Sequence, residues 1–236
     1  MAIDRDLVER IADDAARRSG EIEDGGGLPA DLLADVLDAG LLRLGVPAHL
    51  GGHELEPVER FRIVRRIAAA DGSTGWLVGG ASSFHDVIAA GAHQALHERF
   101  FGDRRAFLAG GVNGDGIARR VAGGVEVSGR WGFASGCRSA TWLGGLCVDD
   151  DGSPRTAPPA SRWVMVPADR AEIHPSWDVI GLRGTGSHTV VLPTQVVPTA
   201  WTFPFPFPLD HRVTASPPHG VAARGLWPTA IALAAT

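Results

Sequence analysis

Apolar residues along the first hundred positions recur with the period of a helix. Between Asp4 and Arg18, the residues Leu7, Val8, Ile11 and Ala15 fall on one helical face. Glu21 to Gly27 interrupts the pattern with acidic residues and glycines and predicts a linker. Leu28-Pro29 opens a second helix with a buried stripe of Leu32, Leu33, Val36 and Leu37, and Gly40 ends it. Val46 to Gly52 reads as a turn-rich loop. Pro57 opens a third helix carrying Val58, Phe61, Val64, Ile67 and Ala68, which Asp71-Gly72-Ser73 breaks. Ser73 is suited to cap a fourth helix of small residues over Thr74 to Ala90, whose glycines allow close backbone approach. A short fifth helix is predicted over His93 to Phe101.

Beyond residue 105 the period changes to that of strands. Ala106 to Leu108 predicts a strand. Ile117 to Ala122, Gly123-Gly124 and Val125 to Phe133 predict a hairpin with a two-glycine turn. Within it Val125, Val127, Trp131 and Phe133 alternate with Glu126, Ser128 and Arg130, so one face is apolar. Further strands are predicted over Ala140 to Val148, Arg162 to Val166, Ala171 to His174 and His188 to Leu192. Trp131, Trp142 and Trp163 lie on apolar strand faces and are expected in the core. Asp149 to Ser161 is polar and proline-bearing and predicts a mobile loop. Pro204, Pro206 and Pro208 exclude helix and central strand. Leu226 to Ala235 starts a further apolar helical pattern. Helices followed by strands, without alternation of the two, give an α+β class.

Composition narrows the function. The chain of 236 residues is 44% hydrophobic with a formal net charge of −5, and no basic stripe suggests nucleic acid. No apolar run is long enough to span a bilayer, and the charged start at Met1 is unlike a signal peptide. Cys137 and Cys147 then read as free thiols, and a cytoplasmic location is expected. All 22 basic residues other than histidine are arginine, which excludes chemistry that needs a P-loop or Schiff-base lysine. Tyrosine is absent, so no phenol can donate a proton. His93 and His97 share a helical face, but no Glu stands between them and no third ligand is evident, so no metal is expected. Gly181 to Gly186 lacks the strand, helix and lysine of nucleotide-binding loops. Thr185 and Ser187 read there as part of a tight turn.

Three stretches in order carry a resemblance. Leu28-Pro29 leads through an "LP…LL…AGL…VP…GG" pattern to Ala70-Asp71-Gly72-Ser73-Thr74-Gly75-Trp76. Next comes Val127-Ser128-Gly129-Arg130-Trp131-Gly132-Phe133-Ala134-Ser135-Gly136. The third runs from Trp177 through Gly181-Leu182-Arg183-Gly184-Thr185-Gly186-Ser187 to Val197-Pro198. Together they resemble the acyl-CoA dehydrogenase superfamily, and the second and third resemble its two-component flavin-dependent monooxygenase branch. The resemblance implies an all-helical N-terminal domain (1–105), a mostly antiparallel β-barrel or sandwich domain (106–215) and the start of a C-terminal helical domain (216–236). The family's C-terminal four-helix bundle, which completes the flavin site and supplies tetramer contacts, is missing from this sequence, so a truncated chain is expected.

The same resemblance implies site residues. Phe133, Ala134 and Ser135 would lie along a flavin ring, with Ser135 Oγ at N5, where it would protect a C4a-hydroperoxide from early loss of peroxide. On spacing alone, Ser135-Gly136 is a strand-end turn. Trp76 would line the flavin pocket; as a tryptophan after a capped helix start it also reads as a core residue, and both readings stay open. His85 would meet a phenolic substrate, although a surface or satisfied histidine has the same sequence signature. Arg183 would meet a phosphate or carboxylate.

These expectations combine into a hydroxylase that uses reduced FMN or FAD and molecular oxygen on an aromatic or polyketide-like small molecule. A separate flavin reductase and a homo-oligomer are the expected partners, with no nucleic acid and no membrane. One alternative is an FAD-dependent acyl-CoA dehydrogenase-type oxidoreductase. Against it stands the segment Ala109 to Gly116, which replaces that group's "TEP"-like flavin segment. The other alternative is an inactive fragment whose apolar tail at Ile231 to Ala235 favours association.

Overall fold

A computed structural model describes residues 3–150 and 160–205. Most of the loop expected at 149–161, the prolines 206 and 208, and the apolar segments near the C-terminus lie outside the described residues.

Among the described residues, six α-helices come first. Helix α1 (Arg5–Arg17) is capped by the Asp4 carboxylate, which accepts from Leu7 N at 3.1 Å, and it buries Val8, Ile11, Ala12 and Ala15. Helix α2 (Ser19–Gly25) occupies the expected linker. Its acidic residues are not simply solvated. Arg18 bonds Glu21 and Asp31, and Ile22 is fully buried. Helix α3 (Ala30–Asp38) follows Pro29, and Gly40 behind it adopts φ 68°, as a helix-ending glycine does. Helix α4 (Pro57–Ala70) begins at its proline. Helix α5 (Gly72–Gly91) starts two residues before Thr74, because Asp71 rather than Ser73 is the cap: its Oδ1 accepts from Thr74 N and Thr74 Oγ1, each at 2.7 Å. Gly75 faces the Ala68 backbone, so α4 and α5 meet at close range. Helix α6 (Gln94–Phe101) completes the series.

All strands follow. They are β1 (Leu108–Val121), β2 (Gly124–Ala134), β3 (Trp142–Asp149), β4 (Ser161–Pro167), β5 (Glu172–His174), β6 (His188–Val197) and β7 (Thr202–Pro204). They form one seven-stranded sheet in the order β5-β6-β2-β1-β3-β4-β7, antiparallel except for the β1–β3 pair. The α+β class holds, with the helices first and a mostly antiparallel β-domain after them. The strands expected at 106–108 and 117–122 are the two ends of one long β1. The hairpin turn falls one residue earlier than expected, at Ala122-Gly123, since Gly124 already pairs with Val121. Strand β7, which sequence patterning did not reveal, lies at the sheet edge and ends at Pro204, where a missing N–H does no harm.

The glycines of residues 109–116 have a packing role. Trp131 is fully buried at the centre of the sheet, and its Nε1 donates to Leu146 O at 2.9 Å. A Cβ at Gly116 or Gly145 would sit 2.5 Å from its indole. Trp142 and Trp163 are buried as expected. Cys137 and Cys147 are free and buried.

Candidate functional site

Strand β2 departs from its alternation at its last turn. Val125, Val127 and Trp131 point into the core, but Phe133, which the pattern places beside them, is 71% exposed. Its backbone is left-handed (φ 59°), and the pairing of β2 with β6 shifts register between Trp131 and Ala134. This local bulge turns the ring outward. Ala134 is fully buried and pairs with His188, so only its main chain can lie along a bound ring. Ser135 follows, partly exposed, at the rim of the sheet.

Two other segments close on Ser135. The first turn of α5 presents Trp76, 41% exposed, whose Nε1 donates to Ser135 Oγ at 2.9 Å. The loop between β5 and β6 contains a 3-10 helix (Arg183–Thr185) entered through Leu182, a second non-glycine residue with φ 59°. The Leu182 carbonyl holds that turn by accepting from Trp177 Nε1 at 3.0 Å and from Thr185 Oγ1 at 2.8 Å. The buried Ser187 hydroxyl lies 2.7 Å from Ser135 Oγ and 2.6 Å from Thr185 Oγ1. The Trp177 ring stands edge-on to Phe133, with centroids 5.8 Å apart. The loop is anchored from beneath: Gly136 N donates to Thr185 O at 2.7 Å, and the Ser176 and Trp177 amides both donate to His188 Nδ1 at 3.1 Å. Burial and the Arg138 charge push the His188 pKa down, which keeps that nitrogen free to accept.

Phe133, Trp76 and Leu182, itself 40% exposed, thus form an apolar surface around one hydroxyl. Of the three non-glycine residues with positive φ among the described residues, two lie in it. Backbone held against its own preference is characteristic of sites where side-chain placement matters more than local stability. Arg183 follows Leu182 in the chain and is exposed, without an ion pair among the described residues.

His85 is a correction. It is fully buried, its ring stands edge-on to Phe100 at 5.0 Å, and its Nε2 accepts from Leu108 N at 3.4 Å. Burial and the Arg43 charge push its pKa down to about 3. It is a neutral packing residue, and the structure does not bring it to the surface that Ser135 occupies. A separate cleft of about 740 Å³, lined by Arg43, His49, Gln94, His97, Phe101 and Arg104 among others, contains none of the expected site residues.

Residues 3–103 match the model of the acyl-CoA dehydrogenase N-terminal domain. The chain is 34% identical over 186 residues to the flavin-dependent monooxygenase oxygenase subunit HsaA of Rhodococcus jostii (strain RHA1), covering 77% of this chain and 47% of that one. The chain belongs to the acyl-CoA dehydrogenase superfamily. Within that superfamily it is also 32% identical to the oxygenase component of the FADH(2)-dependent resorcinol hydroxylase of Rhizobium sp. (strain MTP-10005), covering 85% of this chain and 49% of that one. The solved 3-HSA hydroxylase from Rhodococcus sp. RHA1 superposes with a TM-score of 0.77 at 31% identity, over 84% of this chain and 50% of that one. The chain therefore spans about half the length of these relatives. No described helix is long and apolar enough to cross a membrane.

The superfamily resemblance singles out Trp76, Phe133, Ala134, Ser135 and Arg183; the Trp76 indole bonds Ser135 two residues after Phe133, and Arg183 is next to Leu182 in the chain. It left Trp177, Leu182, Thr185 and Ser187 unassigned. Thr185 and Ser187 were visible as two hydroxyls in a glycine-flanked turn, but nothing in their spacing names Ser135 as a neighbour.

Proposed function

We propose that this chain carries the flavin-binding surface of a reduced-flavin-dependent monooxygenase that hydroxylates an aromatic small molecule. Reduced FMN or FAD would come from a separate reductase, with molecular oxygen as co-substrate. The observation that carries the reading is the exposed Trp76–Phe133–Leu182 surface with the Ser135 hydroxyl at its centre. A flavin ring needs apolar walls and a few placed polar atoms at its N5 edge, and this surface offers both. The relatives named as monooxygenases and hydroxylases support the same activity. When bound, the flavin supplies the oxygen-activating chemistry. The chain's residues hold it: Trp76 and Phe133 would flank the ring, Ser135 would meet N5, the Ala134 main chain would line its edge, and Arg183 would meet a phosphate. The division into a helical domain (1–105) and a β-domain (106–215) belongs to the same proposal, with the surface at their junction.

Titration with FMN and FAD, oxidised and anaerobically reduced, tests it. Saturable binding that Ser135→Ala and Phe133→Ala each weaken is the expected result. Absence of binding in both redox states would sink the reading.

A further inference from the structure

Helix α5 is sealed along most of its length and leaves one line open. From Ser73 to Ile88 every residue is buried except Trp76, Gly80 and Phe84. Their four-residue spacing stacks them on one face of the helix. The sheet pins both ends of the line. Trp76 reaches Ser135 at the end of β2 through its indole N–H. The Phe84 ring lies 5.0 Å from that of Trp163 on β4. Strands β1 and β3 separate β2 from β4, so the line crosses them with Gly80 midway. A Cβ at Gly80 would meet nothing within 4 Å, whereas one at Gly75 would strike Ala68. Gly75 thus serves a close approach of two helices, and Gly80 leaves open space. A glycine there weakens the helix without serving its packing. A helical rise of about 1.5 Å per residue sets the Cα atoms of Trp76 and Phe84 about 12 Å apart along the axis. No charged side chain belongs to the line, and the neighbouring Asp86 is buried against Arg60.

We infer that Gly80 is a specificity-determining residue, which admits a neutral, flat aromatic substrate of two or more fused rings to the notch between Trp76 and Phe84. The inference rests on the flavin reading above. Trp76 belongs both to the flavin surface and to the line, so a ring lying on Gly80 is next to the flavin that Trp76 flanks. Two aromatic side chains and a bare stretch of helix backbone offer stacking and dispersion contacts to a π-face. The span is longer than a single ring fills and suits a fused pair. The line holds no partner for a carboxylate or ammonium, and a charge desolvated without a partner is costly, so an ionised body is disfavoured.

The test is calorimetric titration of the chain with 2-naphthol, phenol and 6-hydroxy-2-naphthoate, beside a parallel anaerobic titration with reduced FMN. 2-Naphthol should bind about tenfold or more tighter than phenol, and Gly80→Leu should weaken it by about the same factor, the scale of added or missing methylenes in an apolar pocket. Gly80→Ala should weaken it less. The melting temperature of both variants should rise, since each replaces glycine by a better helix former, and FMN binding should persist. Higher stability with lower affinity for the two-ring probe is a result that a packing role for Gly80 does not give. 2-Naphthol that binds no tighter than phenol, or with an affinity untouched by Gly80→Leu, overturns the inference and leaves the flavin reading in place. So does a melting temperature that falls in Gly80→Ala, which would mean that another helix packs into the notch. 6-Hydroxy-2-naphthoate binding as tightly as 2-naphthol overturns the neutral substrate class. Should Gly80→Leu fail to fold, Gly80→Ala and the comparison of 2-naphthol with phenol still decide. No binding of reduced FMN to the unaltered chain overturns the flavin reading itself and this inference with it.

Discussion

The two ends of helix α5 carry chemistry-bearing residues into opposite surroundings. Near its C-terminal end, His85 and Asp86 are sealed inside the protein. His85 packs against Phe100, and Asp86 pairs with the equally buried Arg60 of α4 beneath Gly45. At its N-terminal turn, Trp76 stands partly in solvent and donates to the Ser135 hydroxyl. By residue type the inner end looks the more reactive. By placement it is sealed: Asp86 Oδ2 meets Arg60 and His85 Nε2 meets Leu108 N, while His85 Nδ1, Asp86 Oδ1 and Arg60 Nε are buried without hydrogen-bond partners. The outer end consists mostly of apolar residues, yet it exposes them and bends two backbones into left-handed conformations to do so. Exposed apolar area and strain mark the site, and a buried titratable pair does not.

The comparison breaks first, and with the largest effect, at the inner end. Asp86→Ala leaves the Arg60 guanidinium buried without its partner, and about 3–5 kcal/mol of stability should be lost. Urea denaturation measures it. Flavin affinity of the folded fraction should stay unchanged. A mutant that keeps its stability but loses flavin would show that the two ends are not separate.

The next effect lies in the pH dependence. His85 is pushed down to about 3 from an ordinary 6.5. The unfolded chain thus gains a proton that the folded chain refuses, and this contribution to stability, complete above 6.5, is lost as pH falls toward 3. Asp86 is pushed up to about 7 from 3.8, by burial acting against Arg60. The folded chain there keeps a proton that the unfolded chain releases, so this contribution, complete below 3.8, is lost as pH rises toward 7. Where the windows overlap, the two slopes oppose, each about 1.4 kcal/mol per pH unit at most. His85→Leu should leave a stability that falls with rising pH across this window. Asp86→Asn should leave one that falls with falling pH. Denaturation midpoints that shift in parallel in both variants would contradict the assignment.

At the outer end the expected sign is reversed. Phe133→Gly relieves a left-handed non-glycine residue and removes an exposed ring. Stability should rise by up to about 1 kcal/mol while flavin binding weakens. A rise in stability together with a loss of affinity distinguishes a functional residue from a packing one. A loss of both would place Phe133 with His85.

Much of the helical part was legible because its apolar stripes repeat over whole turns. Helix α2 was not: its local composition is acidic and glycine-rich, and what makes it fold is Arg18 reaching Asp31, together with Ile22 buried against the distant Gly184. The outward turn of Phe133 was hidden for a related reason. Nothing at that position advertises a left-handed residue as a glycine would, and strict alternation argues for the core. Ser135 and Trp76 were reached through resemblance. The hydroxyls behind Ser135 were not, because Ser187 lies 52 residues further along the chain and only the folded sheet brings them together.

The smallest expected effect sits at the edge of the outer surface and sharpens where the ligand lies. Arg183 is exposed and makes no ion pair among the described residues, so its removal should not move the melting temperature. If it meets a phosphate, Arg183→Ala should weaken FMN about two- to fivefold, the range for an exposed ion pair, and leave riboflavin, which has no phosphate, unchanged. Equal weakening of both ligands would mean that Arg183 supports the turn at Leu182 rather than the ligand. No change in either would put the phosphate elsewhere and confine the site to Trp76, Phe133 and the Ser135 hydroxyl.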